Sequence, residues 1–84
     1  MTTIYKYPIR ITDKQLIVSP MCSEIRHVGL DPNGTPCIWV EVATENEDEP
    51  WDLYIVGTGN PLPKGASVYV GSFVQGPFVW HAYI

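Results

Sequence analysis

No run longer than six residues in this 84-residue chain carries helical periodicity without a glycine or proline breaking it. Proline removes a donor and clashes with the preceding turn, and a glycine costs about 1 kcal/mol in a helix interior. With 7 glycines and 8 prolines spread along the chain, short extended strands are the regular structure open to most segments. Period-two alternation says which segments these are. In residues 4–12, Tyr5, Tyr7, Ile9 and Ile11 alternate with Lys6, Pro8, Arg10 and Thr12, and Pro8 places this strand at a sheet edge or a bulge. A tight turn at Thr12-Asp13-Lys14 leads to a second strand, residues 15–20. Residues 24–30 and 35–43 make a hairpin around Asp31-Pro32-Asn33-Gly34, a strong turn signal. On its second arm Cys37, Trp39 and Glu41 face one side, and Ile38, Val40 and Val42 the other. Residues 51–56, 67–74 and 78–84 supply three more strands. Residues 44–50 read as a polar acidic connector, and residues 20–26 have room for one helical turn.

Evenly spaced short strands predict one all-β domain over residues 1–84, a small antiparallel barrel or sandwich of six to seven strands. The last strand is apolar on both faces, with Phe78, Trp80, Ala82 and Ile84 alternating with Val79, His81 and Tyr83. Such a strand is central, or one face meets another subunit. A domain this small buries only about 60–65% of its unfolded surface. Its 3 Trp, 5 Tyr and 2 Phe exceed what that core encloses, so a homo-oligomer is expected.

The net charge is −4, and five of the nine acids lie between Glu45 and Asp52. A basic footprint is absent, which argues against duplex nucleic acid as partner. A small anion needs only one or two local cations. The acidic run lacks the alternating oxygen ligands and glycine of a calcium loop and reads as solvated. Cys22, Cys37, His27 and His81 show no zinc spacing, so no metal and no cofactor is expected. Without a leader or an apolar span, the chain is expected in the cytoplasm with reduced thiols and no membrane partner.

Residues 57–65, Gly-Thr-Gly-Asn-Pro-Leu-Pro-Lys-Gly, are long for a plain hairpin turn. Glycine amides, the Thr58 hydroxyl, the Asn60 amide and the Lys64 ammonium could cradle an anion. A helix does not follow, so this is not an established phosphate loop. The plainer reading is a stiff connector, because proline fixes φ and restricts its predecessor. Aromatic residues can stack a base or form an interface. His81 can bond a ligand or act as a base, but no nucleophile is placed for it by spacing.

Together the start Thr3-Ile4-Tyr5-Lys6-Tyr7, the middle Pro36-Cys37-Ile38-Trp39, the loop Gly57-Thr58-Gly59-Asn60-Pro61 and the end Val79-Trp80-His81 resemble a family of short phage and prophage proteins of unknown function. The resemblance covers nearly the whole chain. Asn60 stands where that pattern has His, and Ile38 where it often has Leu. It implies a host-takeover or counter-defence accessory protein that disables a host system in the infected bacterial cytoplasm, but no activity.

Three functions follow as expectations. The first is a non-enzymatic sponge for a small signalling nucleotide. Trp39, Tyr54 or Trp80 would stack the base, and Gly57, Thr58, Gly59, Asn60 and Lys64 would hold phosphate. His81 would line the site, and Arg10 or Arg26 would complete it across a subunit boundary. The second is an inhibitor or adaptor binding a host defence protein through aromatic anchors, the acidic run and the edge at Pro8. The third, ranked last, is a nucleotide hydrolase with His81 as base.

Overall fold

The computed structural model describes residues 1–84 as seven strands without a helix: β1 (Thr2–Pro8), β2 (Gln15–Pro20), β3 (Glu24–Leu30), β4 (Pro36–Ala43), β5 (Asp48–Gly57), β6 (Tyr69–Gln75) and β7 (Phe78–Tyr83). They form two antiparallel sheets, ordered β1-β4-β3 and β2-β5-β7-β6. The result is a sandwich and not a closed barrel. β3 lies beside β6, yet no ladder joins them. Its thinnest dimension is 16 Å, which fits two sheets about 10 Å apart plus their outer side chains.

Alternation builds the core as the sequence predicts. Ile38, Val40 and Val42 of β4 meet Ile17 of β2, Leu53 and Ile55 of β5, Phe73 of β6 and Ala82 of β7. β1 is an edge strand, which is where Pro8 is tolerated, and β7 is central.

Several boundaries differ from expectation. β1 stops at Pro8, and Ile9 turns inward to the core while Gln15 holds the backbone of Arg10 from both sides. Residues 20–26 hold no helical turn; the chain reverses through Cys22, at φ 63°, and enters β3 at Glu24. β5 begins at Asp48, so the last three residues of the expected acidic connector are strand, with Val18 opposite Pro50 and Pro20 opposite Asp48. Along Asp48–Leu53, β5 has β2 as its single neighbour, and an edge of this kind accepts proline.

The β3–β4 turn is organised by Asp31. Its carboxylate accepts the amides of Asn33 and Thr35, both at 2.9 Å, and pairs with Lys6 Nζ at 3.0 Å. These bonds hold the Asp31 carboxyl below its ordinary value, the Thr35 amide contributing most. They also raise Lys6, while burial raises the neighbouring Cys37 thiol. A folded-state carboxylate below its unfolded value adds stability above that range, and this is lost as pH falls through 3.8 toward the folded value. The urea midpoint is therefore expected to drop on going from about pH 5 to pH 3, and to drop less in Asp31→Asn. Equal drops in both proteins would remove Asp31 from the acid response.

Candidate functional site

β5 and β6 both run antiparallel to β7, so they are parallel to each other. A parallel pair cannot be closed by a hairpin. The connection, residues 58–68, must travel back from the level of Trp80, opposite Gly57, to that of Tyr83, opposite Tyr69. That is a return of about 10 Å at strand rise. This explains the length of the loop: it is a crossover strap. It lies on the outer face of β5, where Tyr54 and Val56 point away from the core yet are buried. Gly65 sits against the Tyr54 hydroxyl, and at φ 97° it occupies a conformation that side chains disfavour.

Beside the strap runs a chain of four polar side chains. Thr58 Oγ1 is 2.7 Å from His81 Nε2, His81 Nδ1 is 2.7 Å from Ser72 Oγ, and Ser72 Oγ is 2.7 Å from the Tyr69 hydroxyl. Residues three apart on a regular strand face opposite sides. Tyr69 and Ser72 share a face because of a bulge: Tyr69 stands opposite Tyr83 and Gly71 opposite Ala82, leaving Val70 extra. Thr58 Oγ1 also donates to the Val79 carbonyl at 3.4 Å. In the orientation that keeps this bond, Nε2–H donates to Thr58, Ser72 donates to Nδ1, and Tyr69 donates to Ser72. Ser72 and His81 thus have the separation of a nucleophile and its base. Hydroxyls take both ring nitrogens, however, and no carboxylate orients the imidazole or would stabilise its cation. The arrangement suits hydrogen bonding to a ligand better than turnover.

At the same end of the sheet, a cleft of about 490 Å³ is lined by Gly57 at the end of β5, Thr58 and Asn60 of the strap, and Phe78 and Trp80 of β7. The Phe78 and Trp80 rings are stacked, centroids 5.5 Å apart, and Trp80 Nε1 donates to Gln75 at 3.1 Å. A Cβ at Gly57 would come within 3.0 Å of the Trp80 ring and 3.1 Å of the Asn60 amide. Four of the sequence-predicted residues, Gly57, Thr58, Asn60 and Trp80, therefore meet in one place, and His81 joins through Thr58.

The others lie elsewhere. Gly59 turns the exposed crest of the strap at φ 89°. Lys64 is exposed further along it, without an ion pair, and Tyr54 lines a second, larger cleft. Trp39 is on the outer face of the other sheet, 5.2 Å from the His27 ring, because its neighbours Ile38 and Val40 take the core face. Arg26 is held there by Glu24 at 3.1 Å and Glu41 at 3.3 Å. Arg10 is exposed in the β1–β2 connection. Within one chain, neither arginine nor Trp39 reaches the strap. Spacing did not single out Ser72 at all or Tyr69 beyond its place among the aromatics that could stack a base, and it did not single out Phe78. For the first two a signal existed in Gly71, since a glycine inside a strand marks a bulge or a close approach. Here it is both: a Cβ at Gly71 would lie 3.2 Å from Val28 of β3.

The outer face of the four-stranded sheet also carries exposed Leu16, Val18, Val74 and Val79. No helix is long and apolar enough to cross a membrane. Residues 1–84 match the model of a family described as a domain of unknown function (DUF7352). No curated protein and no solved structure matches the chain.

Proposed function

We propose that this chain, which belongs to the DUF7352 family of domains of unknown function, works by binding and that its ligand is a small nucleotide. The observation that carries the reading is the convergence of Gly57, Thr58, Asn60 and Trp80 on one cleft with Phe78. A base would lie against the Phe78–Trp80 stack, and the Asn60 amide can both donate to and accept from its edge. The Thr58 oxygen, its proton held by the Val79 carbonyl, would accept from a sugar hydroxyl. No cation lines the cleft; the countercharge would come from Lys64 of the strap or Arg10 of a second copy, both free of ion pairs. With Arg10 as the source, the working form would be an oligomer. In a phage setting, which the sequence resemblance implies, holding a signalling nucleotide would silence a host response.

The test is native mass spectrometry with thermal unfolding across a panel of signalling nucleotides. One member should add its mass to an oligomer and raise Tm, leaving intact on heating. At a hundredfold excess over Kd, binding stabilises by about 2.7 kcal/mol. Asn60→Ala and Phe78→Ala should weaken it about tenfold or more. Absence of both mass shift and stabilisation would move the assignment to the second reading, a host protein partner. The exposed apolar residues Leu16, Val18, Val74 and Val79 on one sheet face favour that reading.

A further inference from the structure

We propose that a second cleft, along the N-terminal half of β5, binds a linear alkyl polyammonium. Its volume of about 740 Å³ falls in the range of small-molecule sites. The Trp51 indole N–H is spent on Ser19 Oγ at 2.7 Å, so what the ring can offer the cleft is its π face. Tyr54 is only 6% exposed, and its hydroxyl has no hydrogen-bond partner in the protein. That hydroxyl sits beside Gly65, which lines the same cleft. The ring is buried while the hydroxyl oxygen stays open to the cleft, free to accept from a ligand there.

The rest of the lining consists mainly of acceptors and apolar walls. Glu24, Glu49 and Asp52 line the cleft, and no Lys, Arg or His does. Ser23 donates its hydroxyl proton to the Pro20 carbonyl, which leaves its oxygen to accept. The nearby cations do not balance these acids. Arg26 is shared between Glu24 and Glu41, Lys14 reaches Asp52 only at 3.8 Å, and Glu49 has no ion pair. An ammonium is the complement of such a site, with three donors and no acceptor, and it is attracted to an indole face. Val68, Val70 and Ile84 add apolar wall against which methylenes between charges can lie. No three acids converge closely enough to hold a metal ion, which favours an extended organic cation over a compact one.

Isothermal titration with spermidine at low salt tests this. The wild type should bind one spermidine per chain. Glu49→Gln should weaken binding about tenfold, the loss of one charge-assisted contact. Tyr54→Phe should weaken it about threefold or more while leaving Tm near that of the wild type. Glu47→Gln removes the same charge outside the cleft and should leave affinity unchanged. Phe78→Ala, which alters the nucleotide cleft, should also leave it unchanged, so the two sites fail or stand separately. Three results would overturn the proposal: no saturable heat, equal weakening by Glu47→Gln and Glu49→Gln, or undiminished binding of the diacetylated polyamine.

Discussion

Gly65→Ala is expected to destabilise the domain by about 2–4 kcal/mol, more than any other single-methyl addition in the strap. Two causes add. At φ 97° an L residue is strained by about 1–2 kcal/mol. The new Cβ would also lie 2.5 Å from the Tyr54 hydroxyl oxygen and 3.2 Å from Cζ. Tyr54 packs against the strap at Gly65, so either the ring moves toward the cleft or the strap lifts. The causes can be separated. Tyr54→Phe deletes the nearer clashing atom, so the double variant should recover the steric part and keep the backbone part. Urea unfolding of the four proteins in the cycle measures that coupling. A Gly65→Ala protein within about 0.5 kcal/mol of the wild type would mean that the strap does not pack on β5.

Ile38→Ala should cost about 2–5 kcal/mol. Ile38 is fully buried in the middle of β4, with Tyr7 of β1 and Val28 of β3 opposite it in the ladders. Its neighbours are held in register on both sides, so the sheet cannot close over the gap, and unfilled volume costs contacts as well as transfer energy. A chain of 84 residues has about 4–12 kcal/mol of total stability, so this one truncation removes a large share of it. The expected fall in Tm is about 4–8 °C per kcal/mol. Ile38→Val should cost only about 0.5–1.5 kcal/mol. Leu16→Ala, on a side chain 63% exposed, should stay within about 0.5 kcal/mol. Equal losses at positions 38 and 16 would contradict the placement of the core.

Strand identity is a local property, and it was legible. Ile38, Val40 and Val42 alternate with Cys37, Trp39 and Glu41 in the sequence and do so in the sheet. Strand order is not local. Nothing in Trp51–Val56 says that Phe78–Tyr83, rather than the next strand in sequence, will pair with it, because that choice depends on which faces remain to be covered once the hairpin of β3 and β4 exists. The length of residues 57–65 was visible, but its cause, a return over a parallel pair, required the order. The polar chain was hidden for a related reason. Alternation assigns Tyr69 and Ser72 to opposite faces, and one extra residue at Val70 reverses that assignment for everything before it. Asp52 already lay on the expected strand, but Glu49 was left in the connector by Pro50, which reads as a strand breaker unless the strand is known to have one neighbour there. Lys64, Arg10 and Arg26 were grouped by charge, and charge alone carries no information about face: Arg26 proved to be spoken for by two glutamates.

The position of β7 between β5 and β6 also bears on synthesis. Both neighbours are complete on the ribosome before the strand that bridges them has been made. Until then β5 presents an unpaired edge along Tyr54–Gly57, and the strap has no finished sheet to lie on. β6 and β7 form a local hairpin, whereas β5 must wait for a partner more than twenty positions downstream. A nascent chain in that state is a template for strand addition by another chain. Codon usage or chaperone contact over residues 58–83 would therefore influence yield more than the same change over the early hairpin of β3 and β4, whose two arms emerge together.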